Sequence, residues 1–383
     1  MDIKAFKGLN NVTDPLRAGP LWQSRADNID IDQTGAVQSR DGYTLVSSGT
    51  YSGIYSTIDF TRAYLVDGGS LKTIEGVVLK TGLSTDQMQW AEVNDHVYFS
   101  NGKDSGVITP DNTVLPWAWV QPVQPDVRAV TGSLAAGQYR VCITYSMPDG
   151  RMTGSSEASS LTLDGTQALQ ITGISQASGY VTNVFIAPAN ATTFQFAAST
   201  SSTSMVWNSL PDTLGFDLQT TLLNPLPPGV GVLEAWRGRI YAAQYFPELD
   251  QSVVWFSEPL AYHLFNPNDG FFMVPGNAVM LTAVDKALIV GTTQRIYAYD
   301  GQSISELTPY GVVPGWHDSR DEDQVYFWTT RGLCSALPLT NLTERHVSVA
   351  PGLQAGGTIV RSGGQKRYVV ALQEGGAAFN SYP

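Results

Sequence analysis

The feature that most constrains the fold of this chain is a short strand signal that recurs along it, in which a tyrosine lies beside aliphatic residues. Each copy is followed by turn residues and a second apolar run, as in the Asp67-Gly-Gly turn before Leu71 and the Asp300-Gly-Gln turn before Ile304. This order of signals predicts β-hairpins. The copies lie at residues 62–66, 96–100, 239–243, 295–299, 324–328 and 367–370.

The spacing of these signals is typical of a β-propeller. Tyr64 and Tyr98 are 34 positions apart. Tyr297 is followed by Tyr326 after 29 positions and by Tyr368 after a further 42. Irregular repeats of roughly 30–50 residues with three or four strands each are the pattern of propeller blades. A small sheet cannot bury both faces by itself, whereas stacking sheets around an axis covers the faces and protects the edges.

We therefore predict an all-β fold that contains a β-propeller of six blades. Five blades follow from the repeats, and the sixth is expected to close when an amino-terminal hairpin pairs with the carboxy-terminal strands. The 37 glycines and 21 prolines are spread along the chain and leave little room for helices.

One interval is much longer than a blade and indicates an inserted domain. Tyr98 and Tyr241 are 143 positions apart, and proline-rich stretches at 121–125 and 224–229 enclose a segment rich in Ser, Thr and Ala. Residues 137–145 alternate strictly, as a half-buried strand does. We predict three parts: residues 1–125, with an amino-terminal hairpin and the first blades; residues 126–222, an inserted β-sandwich that we call the insert; and residues 223–383, with the remaining blades.

The charge balance argues against tight nucleic-acid binding. The formal net charge is −12 and the pI is about 4.7, whereas a free-standing DNA or RNA binder needs a basic surface to displace counterions. Cys142 and Cys334 lie far apart and lack zinc spacing, so we expect neither a disulfide nor a zinc site. The absence of a signal-peptide pattern and of a long apolar stretch predicts a soluble protein made in the cytoplasm.

The residues that could perform chemistry are scattered along the chain. The four histidines form no H-E-x-x-H motif or close pair, and there is no nucleophile elbow, dinucleotide fingerprint or Walker sequence. The densest acidic cluster, at 321–323, directly precedes a strand signal, and a solvated turn explains it better than a catalytic carboxylate pair. We therefore predict no enzymatic activity, no catalytic residue and no cofactor. The histidines are His96, His263, His317 and His346.

The strongest metal-like pattern runs from Asp30 through Asp32 to Gly35, with Asp41 in the twelfth position. Oxygen ligands at such alternating positions can surround Ca²⁺. However, an aspartate in the twelfth position is short for bidentate ligation, and the flanks have the pattern of strands rather than helices. We therefore interpret Asp30 and Asp32 as part of a hairpin, and keep cation binding by Asp30, Asp32 and Asp41 as the alternative.

The amino terminus carries a series of short motifs. Phe-Lys-Gly-Leu-Asn at 6–10 and Asp-Pro-Leu-Arg-Ala-Gly at 14–19 are followed by Ala-Asp-Asn-Ile-Asp-Ile-Asp at 26–32 and Gly-Ala-Val-Gln-Ser-Arg-Asp-Gly at 35–42. Read in this order, the motifs resemble the opening of bacteriophage tail proteins that form β-propeller hubs or nozzles in short-tailed phages. The strand signals outside the insert resemble the blades of the same family.

The insert has motifs of its own. Gly-Gln-Tyr-Arg-Val at 137–141, an Asp-Gly hairpin turn at 149–150 and Asn-Val-Phe-Ile at 183–186 resemble a fibronectin type III-like sandwich. Insertion of a sandwich is also a feature of tail proteins of this kind. This second resemblance covers about a quarter of the chain.

The resemblance implies a structural virion protein, the tail hub or nozzle below the head–tail connector. Such a protein forms a ring, here expected to be a hexamer, that extends the portal or adaptor channel and conducts double-stranded DNA during ejection. The expected partners are head–tail adaptor or portal proteins and tail needle, fibre or spike proteins, and the expected location is the virion tail, after synthesis in the host cytoplasm and without membrane insertion. Six copies of −12 carry −72, so a lumen lined partly by carboxylates would repel the DNA phosphates.

The alternative is a carbohydrate-binding or glycan-degrading propeller, such as a receptor-binding tail protein or a lectin. Nine tryptophans and 17 tyrosines would serve sugar stacking, although aromatic side chains also pack between blades. A scaffold for another protein partner is a third possibility. The tryptophans considered for a sugar site are Trp117, Trp119, Trp255, Trp316 and Trp328, with core or subunit contact as the competing interpretation for each.

Overall fold

A computed structural model describes residues 5–32, 34–40, 42, 44–318, 324–362 and 365–373. Within these residues the fold is nearly all β, with many small sheets that are mostly antiparallel. One four-residue helix and two short 3₁₀ turns, Pro211–Thr213 and Pro247–Leu249, are the helical elements of the described chain. No helix in this part of the chain has the length and apolar character needed to span a bilayer.

The amino-terminal segment forms two small sheets of its own. Strands β1 and β2 pair in parallel, and β3 and β4 form the hairpin predicted around Asp30 and Asp32. A helix, α1, begins after Asp14, whose side chain accepts a hydrogen bond from the Leu16 N–H as an N-cap. The elements are β1 (Gly8–Leu9), α1 (Pro15–Ala18), β2 (Trp22–Gln23), β3 (Ile29–Ile31) and β4 (Val37–Ser39).

The first two strand signals after this segment each lie within an antiparallel four-stranded meander. The first forms sheet 1 and the second forms sheet 2. Sheet 1 consists of β5 (Tyr51–Ser56), β6 (Ala63–Asp67), β7 (Ser70–Thr73) and β8 (Val78–Lys80), and sheet 2 of β9 (Gln89–Val93), β10 (His96–Ser100), β11 (Ser105–Ile108) and β12 (Val114–Leu115).

The insert follows β12 and folds into two antiparallel sheets, with strand orders β13-β16-β19 and β15-β14-β17-β18. Both sheets contribute to one core, in which Val141 and Ile143 from one sheet pack with Leu169 and Ile171 from the other. The strands are β13 (Asp126–Leu134), β14 (Gly137–Ser146), β15 (Ser159–Leu163), β16 (Gln167–Thr172), β17 (Val181–Ala187), β18 (Gln195–Thr200) and β19 (Ser204–Trp207).

Two more antiparallel meanders follow the insert and contain the next two strand signals. Sheet 3 has the order β20-β21-β22-β23, with β24 also paired to β22, and sheet 4 has the order β25-β26-β27-β28. Sheet 3 consists of β20 (Val230–Trp236), β21 (Arg239–Phe246), β22 (Gln251–Glu258), β23 (Ala261–Phe265) and β24 (Phe271–Pro275), and sheet 4 of β25 (Ala278–Val284), β26 (Ala287–Thr292), β27 (Ile296–Tyr299) and β28 (Ile304–Thr308).

The last two sheets have three strands each within the described residues. Sheet 5 is an antiparallel meander, β30-β31-β32, whereas in sheet 6 β33 pairs antiparallel with β34 and parallel with β29. The strands are β29 (Gly315–Asp318), β30 (Val325–Thr329), β31 (Gly332–Ala336), β32 (Thr340–Asn341), β33 (Gln354–Ser362) and β34 (Gln365–Gln373).

The predicted pairing of the amino-terminal hairpin with the carboxy-terminal strands is wrong for the described residues. Strands β3 and β4 pair only with each other there, and the third strand of sheet 6 is β29. Side chains make the connection instead: Arg367 on β34 forms an ion pair of 2.5 Å with Asp30, and Asn11 bonds to Ser348. Strand β29 occupies one edge of β33, and the hairpin meets β34 through a charged side chain, which does not bring its backbone into the register that strand pairing needs.

Each of the six sheets shares a buried core with the next. Sheets 1 and 2 share one around Tyr64 and Phe99, and sheets 2 and 3 share one around Tyr98. Further cores join sheet 3 to sheet 4, sheet 4 to sheet 5 around Phe327, and sheet 5 to sheet 6 around Trp328. The apolar faces that a small sheet exposes are therefore covered by its neighbours in chain order.

The series also returns to its beginning. Trp316 of sheet 6 packs edge-on against Tyr55 of sheet 1, with ring centroids 6.1 Å apart. The side-chain amide of Gln89 on β9 donates a hydrogen bond of 3.2 Å to the carbonyl oxygen of Gly315 on β29. Between sheets 1 and 6 lies an open groove of about 570 Å³. Each of the other neighbouring pairs of sheets shares a buried core. The six sheets therefore contact one another in a cyclic order, which we call the sheet ring.

Loss of one side chain between two neighbouring sheets should destabilise the whole ring. Phe327 is fully buried between sheets 4 and 5, so replacing it with alanine leaves a cavity. We expect F327A to lower the free energy of unfolding by about 3–5 kcal/mol, measured by urea denaturation with tryptophan fluorescence. Phe60 is 80 % exposed, and F60A is the matched control with an expected change below about 0.5 kcal/mol. Equal effects of the two substitutions would contradict the shared core.

Candidate functional site at the junction of the insert and the sheet ring

The entry into the insert is fastened to one strand of sheet 3. Trp117 and Trp119 lie two positions apart in the entry linker, which bends at residues 117 and 118. The indole N–H of Trp117 donates to the carbonyl oxygen of Tyr262 at 2.7 Å, and that of Trp119 donates to the carbonyl oxygen of His263 at 2.8 Å. Both rings are buried. The two tryptophans therefore hold the entry linker along β23.

A hairpin turn of the insert packs on the same strand. Met147 lies in a small buried cluster with Trp119 and Leu264. The Nε2 atom of His263 is 2.9 Å from the carbonyl oxygen of Met152, and because a carbonyl can only accept, Nε2 carries the proton. Burial lowers the pKa of His263 to about 4. His263 is therefore a neutral hydrogen-bond donor that joins β23 to the insert.

The exit from the insert returns to β23 as well. Asn224 and Phe265 exchange two backbone hydrogen bonds of 2.8 and 2.9 Å. Gly154 in the insert lies so close to the exit linker that a Cβ atom there would overlap the carbonyl oxygen of Leu223. Only glycine fits at this position without displacing backbone. Entry linker, hairpin and exit linker thus converge on one strand, and we call this arrangement the joint.

A cleft of about 230 Å³ opens beside the joint, between sheet 2, sheet 3 and the 147–151 turn of the insert. We call it the junction cleft. It combines aliphatic walls with aromatic and polar side chains, a composition typical of small-molecule sites. Its lining residues are Val93, Asn94, His96, Tyr98, Val107, Thr109, Leu115, Asp149, Arg151 and Tyr262.

The insert contributes an ion pair to this cleft. The Nε and Nη2 atoms of Arg151 lie 2.8 and 2.7 Å from Oδ2 of Asp149, and Nη2 also donates to the carbonyl oxygen of Pro116 at 3.2 Å. Burial raises the pKa of Asp149, but the hydrogen bonds and charge of Arg151 outweigh it, and the net pKa lies below the usual value. The carboxylate therefore stays ionised, and its charge is balanced by the guanidinium group.

Sheets 2 and 3 contribute further polar groups. The Nδ1 atom of His96 lies 2.8 Å from the carbonyl oxygen of Asn94 and must donate to it, so in the neutral ring Nε2 is an acceptor. The side-chain amide of Asn94 donates to the hydroxyl oxygen of Tyr262 at 3.3 Å, which leaves the hydroxyl hydrogen of Tyr262 available. The hydroxyl of Tyr98 makes no hydrogen bond within the described part of the chain. The cleft thus presents both donors and acceptors.

The four histidines lie in four separate places. His96 lines the junction cleft and His263 belongs to the joint. His317 is buried, donates from Nε2 to the carbonyl oxygen of Val313 and accepts from the Trp328 N–H through Nδ1. His346 stacks on Trp22, with ring centroids 4.6 Å apart. Among the described residues, no three His, Cys, Asp or Glu side chains come together as a possible metal site.

The aspartates of the metal-like pattern are engaged by protein groups. Oδ1 of Asp32 accepts from the Thr34 hydroxyl and from the Thr34 and Ala36 N–H groups at 2.6–2.9 Å, and these bonds lower its pKa. Asp30 pairs with Arg367 and lies 3.6 Å from Arg40. The predicted hairpin is therefore confirmed by the β3–β4 pairing. Asp41 and the acidic cluster at 321–323 lie outside the described residues.

The tryptophans considered for sugar stacking serve packing instead. Trp117, Trp119 and Trp328 are buried, and each donates its indole N–H to a backbone carbonyl. Trp255 is partly buried and donates to Gln244, and Trp316 packs on sheet 1. The cysteines, at positions 142 and 334, are buried free thiols in separate sheets. Sequence reasoning noted His96, Tyr98 and the Asp149-Gly150 turn separately, but it did not predict that these residues meet in the junction cleft.

Comparison with solved structures yields distant likenesses. No protein-family model matches the chain, and no curated protein matches it. Apo AztD from Citrobacter koseri aligns over 82 % of this chain and 89 % of its own, with 12 % identity and a TM-score of 0.28. Dipeptidyl peptidase 4 of Porphyromonas gingivalis aligns over 84 % of this chain and 46 % of its own, with 9 % identity and a TM-score of 0.29.

A third likeness is to the V. cholerae biofilm matrix protein Bap1, over 78 % of this chain and 55 % of that protein, with 11 % identity and a TM-score of 0.19. This chain spans about half the length of Bap1 and of the peptidase. Because all three TM-scores are well below 0.5, these proteins give no indication of the fold or function of this chain.

Protonation of His263 should weaken the joint in acid. Its pKa is about 4 in the folded chain and 6.5 in the unfolded chain, so the unfolded state binds more protons between these values. The stabilisation is complete above pH 6.5, falls as the pH decreases towards 4, and amounts to at most about 3 kcal/mol. H263Q keeps an N–H donor for the Met152 carbonyl and cannot titrate. Between pH 7 and pH 4.5, we expect the free energy of unfolding of H263Q to fall by about 2 kcal/mol less than that of wild type.

The measurement is urea denaturation at a series of pH values. Burial also lowers the pKa of His317 to about 4, and His317 lies in a different core. H317Q should therefore reduce the acid sensitivity with the same sign, and the double variant should be additive. A pH dependence that H263Q leaves unchanged would refute a titrating joint.

Proposed function

We propose that this protein is a structural virion component, the tail hub or nozzle of a short-tailed bacteriophage. In this proposal the sheet ring is a six-bladed β-propeller, and the insert is a fibronectin type III-like β-sandwich between the second and third blades. The resemblance of residues 6–42 to such proteins supports the assignment. The cyclic order of contacts among sheets 1–6 supports the propeller.

The observation that carries the proposal is the joint. An inserted domain linked by two free peptides would rotate relative to its host, because short interdomain linkers rarely fix an orientation. Here both linkers and the 147–152 hairpin attach to β23 through Trp117, Trp119, His263 and Asn224. A subunit held in this way can keep two contact surfaces at a constant angle, which a closed ring of identical copies requires.

The DNA path in this proposal lies between subunits. Near the centre of the sheet ring, Gln89 on β9 and Gly315 on β29 are joined by the 3.2 Å hydrogen bond, and β20 lies against both β9 and β25. Such a centre has no room for a duplex. Conduction of DNA therefore requires the hole of an oligomeric ring, for which we propose six copies.

Charge supports a passive conduit. Each subunit carries a net charge of −12, and like charge along a channel wall keeps the phosphates from adhering. Portal or adaptor proteins would contact one end of the ring, and needle, fibre or spike proteins the other, in the tail of the virion. The groups most suited to catalysis at the joint, Asp149 and His263, are engaged with Arg151 and the Met152 carbonyl, which favours a structural over an enzymatic role.

The alternative of a carbohydrate-binding or glycan-degrading propeller, based on stacking of sugars on tryptophans, has less support. Its stacking surface was expected from five tryptophans, and three of these are buried with their indole N–H groups bonded to backbone. A lectin or glycosidase site needs aromatic faces open to the ligand. The tail-hub proposal uses the same tryptophans as structural fasteners.

Ring formation is the decisive test. The full-length protein should assemble into rings of six with a central hole, seen by negative-stain electron microscopy and mass photometry. G154A should lose the rings while retaining its β-sheet circular dichroism, because a Cβ there displaces the exit linker. The matched control is G231A, since a Cβ on Gly231 reaches only ordinary contact, 4.0 Å from Gly102 N.

A wild-type protein that stays monomeric at high concentration and is missing from phage particles would overturn the proposal. Rings that G154A forms as readily as wild type would show instead that the joint is not what orients the subunits.

A further inference from the structure

The junction cleft has the size of a site for one small molecule. Its volume of about 230 Å³ lies below the roughly 300 Å³ at which pockets for drug-sized ligands begin. It is bounded on three sides, by β10 and β11 of sheet 2, by Tyr262 of sheet 3 and by the 147–151 turn of the insert. A ligand there would contact the insert and the sheet ring together.

One hydroxyl in the cleft makes no hydrogen bond to the described residues. Tyr98 is 6 % exposed, and its ring lines the cleft. Burial of the ring raises the pKa of Tyr98. Its hydroxyl oxygen is not fully enclosed by protein atoms, so it is open to a hydrogen bond from water or a ligand. A group that donates or accepts a hydrogen bond can therefore occupy this side of the cleft.

The remaining polar groups offer a mixed set of donors and acceptors. Nε2 of a neutral His96 ring is an acceptor, because Nδ1 donates to the Asn94 carbonyl oxygen. The hydroxyl of Tyr262 can donate, because its oxygen already accepts from the Asn94 amide. The carboxylate of Asp149 accepts and the guanidinium group of Arg151 donates. A ligand that carries several neighbouring hydroxyls can satisfy this mixture, because each hydroxyl both donates and accepts.

The charges in the cleft cancel. Asp149 and Arg151 pair with each other at 2.7 Å, and an additional charge on a ligand would have to be buried without a partner of its own. The site therefore disfavours phosphates, carboxylates and amines. It favours a neutral polyol.

Two aromatic rings form part of the wall. Tyr98 and Tyr262 meet edge to face, with centroids 5.8 Å apart and planes at 69°, and Val107 and Leu115 add aliphatic surface. Both tyrosines are 6 % exposed, so they offer a sugar ring only limited apolar contact, and its hydroxyls would be recognised mainly by the polar groups of the cleft.

We propose that the junction cleft binds one neutral sugar ring, held between Tyr98, Tyr262, His96 and the Asp149–Arg151 pair. The site goes beyond the role of a DNA conduit, since it gives this protein a specific contact with a neutral glycan. It also differs from the tryptophan surface considered above. Because two of the five groups belong to the insert, the site exists only when the insert is docked.

The test is ligand binding to the full-length protein by saturation-transfer-difference NMR and isothermal titration calorimetry. The probes are methyl glycosides of glucose, galactose, mannose and rhamnose, and N-acetylglucosamine. At the binding efficiency usual for larger ligands, a single ring gives a Kd of about 1 mM. Y98F removes only the hydroxyl that faces the cleft and should weaken binding about five- to tenfold. The folded structure should be retained, because this hydroxyl makes no hydrogen bond to the described residues.

Y297F is the matched control. Tyr297 is 5 % exposed, lies between sheets 3 and 4 and does not line the cleft. The Y297F variant should therefore bind the sugar with the same affinity as wild type. Binding is measured whatever the oligomeric state, so this result is independent of ring assembly. The proposal is overturned if none of the neutral sugars binds, if Y98F binds as well as wild type, or if glucose 6-phosphate and galacturonate bind more tightly than the neutral probes.

Discussion

The structure depends on the mutual burial of sheet faces. In β10, successive side chains point to opposite faces, so Val97 and Phe99 enter the core shared with sheet 1, whereas Tyr98 enters the core shared with sheet 3. A strand of this kind has no solvent face, and a four-stranded meander with two apolar faces is not stable by itself. The cyclic order follows, because each sheet needs two neighbours and a linear stack would leave its two end faces exposed to water.

The parts of the fold that could be predicted from the sequence are those that depend on local patterns. The signal at 96–100 coincides with β10, and the insert was expected to begin at residue 126, where β13 starts. Both depend on alternation and on turn residues within a few positions. The parallel pairing of β29 with β33 could not be predicted, since Gly315–Asp318 is short and its partner lies about 40 residues later. Within the described residues the amino-terminal hairpin reaches β34 through the side-chain pair of Asp30 and Arg367 rather than by strand pairing.

The junction cleft was beyond the reach of sequence patterns for a related reason. Tyr98 and Asp149 are 51 positions apart, and each has a local explanation, one as a strand residue and the other as part of a turn. The tryptophans gave a stronger signal, since aromatic residues draw attention to ligand stacking. Burial of Trp117 and Trp119 shows that such residues can instead fasten one part of a fold to another. What distinguishes the two roles is the accessible face of the ring, which only tertiary structure determines.

The joint and the cleft share residues, and this sharing couples them. The carbonyl oxygen of Tyr262 accepts a hydrogen bond from the Trp117 indole N–H in the joint, and the side chain of Tyr262 lines the cleft. Arg151 donates to the Pro116 carbonyl oxygen of the entry linker and also pairs with Asp149 in the cleft. A molecule bound in the cleft would therefore favour the docked orientation of the insert, because it contacts groups that are assembled only in that orientation. By linkage, anything that holds the insert in place, such as neighbouring subunits in the proposed ring, would raise the affinity of the cleft for its proposed ligand by the same factor.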